Sequence, residues 1–144
     1  MHTRAGADGG DADPSEDDHL PGRGLTILIV EDSRDVGAIL AGALEDEGCI
    51  TLLARTGTDA LALARRARPD LITLDLALPG MSGVEVLAEL RRDPDTQAIP
   101  IVAVSAHPQL GPDLASEVAR VISKPFYLSD VVTAVLQTLG RAQT

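Results

Sequence analysis

Five polar residues stand where apolar runs stop. Glu31 and Asp32 follow LTILIV (25–30), Asp75 closes DLITLD (70–75), Ser105 closes IPIVAVS (99–105), and Lys124 follows RVIS (120–123). A carboxylate at the end of a buried run is costly unless something uses it. Three in one cleft are costlier: two unit charges about 4 Å apart repel by roughly 4 kcal/mol at an effective dielectric near 20. Such a group needs a cation among the acids, or a proton held on one of them. With no Cys or His nearby, the all-oxygen donors suit a hard ion, Mg²⁺, that keeps several waters. Ser105 adds a hydroxyl and Lys124 a compact positive charge. The chain has eleven arginines and this single lysine, so a compositional preference for arginine accounts for the eleven and not for the one. A lysine is a point charge on a flexible stem, able to reach one oxygen of a small anion. Metal, hydroxyl and lysine around a carboxylate make a phosphoryl-transfer site, with Asp75 as the candidate nucleophile.

These residues meet only if the chain brings the ends of its apolar runs together. The pattern predicts strands at 25–30, 49–54, 70–75, 99–105 and 120–123. Helices fall between them. Ser33 caps one carrying Val36, Ile39, Leu40, Ala43 and Leu44 at helical spacing, ended by Gly48, and 59–68 forms another, stopped by Pro69. Ser82 and Glu85 make a capping box for a third, running to about Arg92. Pro108, Gly111 and Pro112 leave room for some two turns in 112–119, and 128–140 closes with Val131, Val132, Val135, Leu136 and Leu139 on one face. Strands alternating with helices imply right-handed crossovers and a parallel sheet covered on both sides: an α/β, doubly wound fold. In such a sheet the strands' carboxyl ends share one edge, where ligands bind.

Composition narrows the function. The formal charge is −10. Six acids (Asp8, Asp11, Asp13, Glu16, Asp17, Asp18) against Arg4 and Arg23 make residues 1–24 an acidic tail, poor in large apolar side chains and expected to be disordered. Both tail and body repel phosphate backbones, which argues against nucleic-acid binding. Arg65, Arg66, Arg68, Arg91 and Arg92 sit at predicted helix ends and read as solvated charges favouring the helix dipole. No apolar run approaches the length of a membrane span and no signal core is present, so a cytoplasmic protein is expected. Cys49, alone, reads as a small buried residue. Pro79-Gly80 makes the turn after the Asp75 strand, and Gly83 lets the third helix start close to it.

The chain resembles a receiver domain of the bacterial response-regulator family over about residues 25–140. The resemblance rests on VED at 30–32, DLALPGMSG at 75–83, VSA at 104–106 and KPF at 124–126, four motifs in order at strand ends. It implies a flavodoxin-like sheet of order 2-1-3-4-5, and a phosphoryl group accepted by Asp75 from a histidine kinase, a phosphotransfer protein or a small phosphodonor. Glu31, Asp32, Asp75 and the backbone carbonyl of Ala77 would hold Mg²⁺, and Ser105 and Lys124 would meet the phosphoryl oxygens. The side chains of Ala77 and His107 would fall where they bear on phosphoryl lifetime. With residues 141–144 as a short tail and no output domain, the reading is a stand-alone response regulator that signals through protein contacts and turns over no outside substrate.

Two departures from the family pattern concern its output. Val121 occupies the position where an aromatic or histidine commonly swings with the hydroxyl, while Phe126 and Tyr127, the only aromatics, follow the lysine. The stretch from Ser105 to Lys124 is short, which shortens the fourth helix. These keep open an alternative, a receiver fold retained for docking without phosphorylation. A phosphatase-like enzyme would carry a second acid at Ala77 and is disfavoured.

Overall fold

The computed structural model describes residues 19–106 and 111–141. A five-stranded, wholly parallel sheet runs in the order β2-β1-β3-β4-β5. Its strands are β1 (Thr26–Val30), β2 (Ile50–Ala54), β3 (Leu71–Asp75), β4 (Ile101–Ser105) and β5 (Arg120–Ser123). The helices are α1 (Arg34–Asp46), α2 (Gly57–Ala67), α3 (Gly83–Arg92), α4 (Pro112–Ala115) and α5 (Leu128–Thr138). The expected architecture and strand order are both present. Strand β4 starts two residues later than expected. Pro100 offers no N–H to a ladder, and its carbonyl accepts from the Ile72 N–H.

The sheet separates two apolar layers. Leu28, Val30, Ile72, Leu74, Ile101 and Ala103 pack beneath α2 and α3. Ile27, Ile29, Leu71 and Val102 pack beneath α1 and α5, where Val131, Val132, Val135 and Leu136 are buried as the period requires. On α1, Leu40 and Leu44 are buried while Ile39 stays 53% exposed, so the buried stripe is narrower than the sequence suggested. Cys49 is buried as expected, and burial pushes its thiol up to about 11.

Side chains set the helix starts. The Ser33 hydroxyl accepts from the Val36 N–H, and Ser82 and Glu85 close the predicted capping box on α3. Helix α2 begins at Gly57, earlier than expected, because the Thr56 hydroxyl accepts from the Asp59 N–H and so acts as N-cap. Gly83 sits against β3: a Cβ there would collide with the Asp75 carbonyl oxygen and the Leu76 Cα. Only a glycine lets α3 start that close.

Three expectations need correction. Residues 20–24, assigned to the tail, are joined to the body: the Gly22 N–H donates to the Glu47 carbonyl at 2.6 Å, and Arg141 donates to the carbonyls of Pro21 and Arg23. The rest of the expected tail, 1–18, lies outside the described residues, as does His107. Helix α4 is a single turn in place of two, because after Ala115 the chain turns into β5, with the Ala119 N–H donating to the Ile101 carbonyl. Arg91, assigned to solvent, is half-buried and donates to the carbonyls of Gln97 and Ile99 at 2.9 Å and of Glu117 at 2.7 Å. It clamps the segment that α4 does not organise, together with Leu114 and Val118 packed on the core. Arg91→Ala is expected to cost about 2 kcal/mol in urea unfolding and to raise hydrogen exchange over 113–119, because buried carbonyls lose charged donors. Unchanged stability and exchange would show that packing alone holds the segment.

Candidate functional site

Parallel register delivers the polar residues to one edge. Val30 is paired with both Ala54 and Leu74, Asp75 with Val104, and Ser105 with Ser123, so the strands end nearly level. Oxygens of Glu31, Asp32 and Asp75 all lie within 4.8 Å of one another. Asp75 is 2% exposed and Glu31 is 6% exposed.

Each oxygen of Asp75 has a partner. Lys124 Nζ lies 2.9 Å from Oδ2, and the Ala77 N–H donates to Oδ1 at 2.9 Å. The ammonium comes from β5, at the far edge of the sheet, and the Lys124 N–H donates to the Ser105 carbonyl. Lys124 precedes a cis peptide bond to Pro125. Glu31 accepts from the Ser33 N–H at 3.1 Å. Burial tends to lower the Lys124 ammonium, but its hydrogen bond to Asp75 and the charges of Asp75, Glu31 and Asp32 outweigh that and hold it above the ordinary lysine range. Burial, with the Asp75 charge added, holds the Glu31 carboxyl above its ordinary range despite the opposing Ser33 hydrogen bond and Lys124 charge.

The site therefore carries three acids and one ammonium in a mostly buried cleft. That excess of negative charge, with oxygen donors only, fits a divalent hard cation completed by water. The structure thus assembles Glu31, Asp32, Asp75 and Lys124, places the Ala77 main chain on Asp75, and sets buried Ser105 at the end of the neighbouring strand. Val121 lies in β5 opposite Ala103, half-buried.

One residue escaped the sequence analysis. Arg55, just past β2, donates through Nε to the Asp32 carbonyl at 3.2 Å. With Asp32, Leu53, Thr56, Asp59 and Pro79 it lines a cavity of about 590 Å³ beside the acids. The usable signal was its position: the first polar residue after a strand, on the shared edge.

A doubly wound five-stranded parallel sheet with a lysine-paired aspartate among acids at its carboxyl edge defines a class, the open α/β modules that carry an acidic site at the strand ends. The family model described as the response regulator receiver domain matches residues 27–136, and the chain belongs to that family. It is similar to the polar-differentiation response regulator DivK of Brucella anthropi, 34% identical over 120 residues that make up 81% of this chain and 98% of DivK. It is also similar to the probable transcriptional regulatory protein TcrX of Mycobacterium tuberculosis, 33% identical over 83% of this chain, which spans about half (52%) of that protein. Among solved structures it is similar to the receiver domain of a sensor histidine kinase from Pseudomonas aeruginosa PAO1. That match has a TM-score of 0.71 and 28% identity, covering 80% of this chain and 96% of that one. The latter holds a magnesium ion in its active-site cleft. The family is one of two-component signalling domains, and among the described residues no helix is long and apolar enough to cross a membrane.

Glu31→Gln should raise the metal-free unfolding midpoint near pH 7.5. A carboxyl whose folded-state pKa is raised weakens the fold above that pKa and ceases to do so once protonated. The gain should therefore shrink as the pH falls through the Glu31 pKa. Thermal unfolding in EDTA across that range checks it; a variant no more stable at any pH would mean that the Ser33 and Lys124 contacts already offset the burial.

Proposed function

We propose that the chain is a response regulator whose Asp75 accepts a phosphoryl group from a histidine kinase or phosphotransfer protein and then changes its affinity for a protein partner. Supporting this most directly is the buried Asp75 carboxylate paired with the chain's sole lysine at 2.9 Å, inside a cluster that needs a cation. Glu31, Asp32 and Asp75, with the Ala77 carbonyl, would hold Mg²⁺, which when bound offsets the charge on the transferring group.

The chain's own residues supply the rest. An Asp75 oxygen forms the new bond to phosphorus as the bond to the leaving group breaks, and the leaving group departs with the electron pair. Freed from Asp75, Lys124 pairs with the phosphoryl oxygens, exchanging one anion for another without crossing the cleft. Ser105, one residue past Val104, the register partner of Asp75 on the adjacent strand, donates its hydroxyl to the same oxygens. Ala77 is exposed and carries no acid, which suits a phosphoacceptor better than an enzyme that hydrolyses its own intermediate in turnover. The acidic surface points to protein partners, not nucleic acid, and a cytoplasmic setting suits a kinase partner.

A second reading, a receiver fold that docks without phosphorylation, is favoured by the single-turn α4 and by Val121. Acetyl phosphate with Mg²⁺, followed by intact mass, separates the two. One added phosphoryl group, lost without metal and in Asp75→Ala, is expected. A folded protein left unmodified by acetyl phosphate and by a kinase partner would favour docking. Lys124→Arg should keep the charge yet slow phosphorylation at least about tenfold, since a planar fork does not replace a point charge at a crowded oxygen; a wild-type rate would remove the special role of that lysine.

A further inference from the structure

Strand β2 is an edge of the sheet, and among the described residues no strand pairs with its outer side. Its sequence, Ile-Thr-Leu-Leu-Ala, has no charge and no proline, the usual devices that keep an edge from pairing with another chain. Ile50 is 59% and Leu53 49% exposed. The opposite edge, β5, carries Arg120, held by the Gln137 side chain.

The ladder shows which groups are open. The Ile50 N–H donates to the Leu25 carbonyl and the Ala54 carbonyl accepts from the Glu31 N–H, so alternate residues 50, 52 and 54 face β1. The N–H and C=O groups of Thr51 and Leu53 therefore point away from the sheet.

We propose that two copies of this chain associate through β2, paired antiparallel about a two-fold axis at Leu52. Thr51 of each copy then lies opposite Leu53 of the other, and about four main-chain hydrogen bonds join the open groups. Ile50 falls across from the small Ala54 of the second copy, and Leu53 across from the Thr51 methyl. The ends of the strand favour a second copy over an unrelated chain. Glu47 precedes β2 and Arg55 follows it. Antiparallel pairing sets Arg55 opposite Cys49 of the other copy, within reach of its Glu47, and does so at both ends. Among the described residues, Glu47 has no ion pair within its own chain and Arg55 spends only its Nε, on the Asp32 carbonyl. The order acid–apolar strand–base is self-complementary under a two-fold axis, as an isologous interface requires. The acidic clefts, at the strand ends and not along the lateral edge, remain open and point in opposite directions.

Sedimentation velocity on the full chain from about 10 to 500 µM, with circular dichroism confirming the fold, tests the association independently of any phosphorylation. A concentration-dependent dimer is expected, weakened at least about tenfold by either Leu53→Lys or Ile50→Lys, which lie on opposite faces of the strand. Arg55→Glu and Glu47→Arg should each weaken it, and the double exchange should restore it, because each single change sets like charges together at both ends. A folded wild type that stays monomeric throughout, a dimer indifferent to the lysine variants, or a double exchange no better than the singles would each overturn the proposal.

Discussion

The structure depends on one electrostatic constraint. Asp75 is buried at the end of β3 beside Glu31 and Asp32, and the folded chain offers one ammonium to the three acids. The carboxylate is tolerated because both oxygens are engaged, one by Lys124 and the other by the Ala77 main chain. Register keeps the strand ends level, Gly83 draws α3 against β3, and the Ser33 and Thr56 caps seat α1 and α2 beside the cleft. These features place the acids close enough to repel and Lys124 close enough to compensate. The remaining excess of negative charge fits the site to a hard cation.

The Lys124–Asp75 bond also ties the two ends of the site to the whole width of one half of the sheet. Lysine arrives from the edge strand β5 and aspartate from the central β3, with β4 and Ser105 between them. The contact therefore spans β3, β4 and β5 and ends beside the shortened α4. There the organisation differs from a longer helix: one turn, then a segment clamped by Arg91 through main-chain carbonyls. Burial also lowers Arg91 from its ordinary arginine value, opposed by Glu117, a sign that this guanidinium serves the fold and not the solvent. The segment between β4 and β5 is thus held by the Arg91 guanidinium and its carbonyls together with Leu114 and Val118, and Val121 adds no aromatic to it.

Much of the site was legible because it lies at the ends of short apolar runs. Glu31, Asp32, Asp75, Ser105 and Lys124 each break such a run, and a parallel sheet has one edge to which all strand ends go. The α3 capping box, the need for glycine at Gly83 and the buried stripe of α5 were equally local and were found. The misreadings had a common cause. Arg91, two helical residues from Glu89 and next to Arg92, looked like any charge in a last turn, and its partners are carbonyls of residues up to 26 positions away. Arg55 was passed over because nothing adjacent to it suggests chemistry; its contact with Asp32 spans 23 positions. Gly22 and Arg141 join chain ends about which composition says only that they are polar.

By itself, then, the sequence determined the elements, the parallel sheet and the set of side chains sent to its edge, because period, caps and turn residues act over a few positions. Tertiary structure alone decided which oxygen of Asp75 meets Lys124, that burial raises Glu31, that α4 stops after one turn, and which strands form the edges of the sheet. Those outcomes depend on distances and desolvation between segments far apart in the chain, and such quantities exist only once the chain has closed on itself.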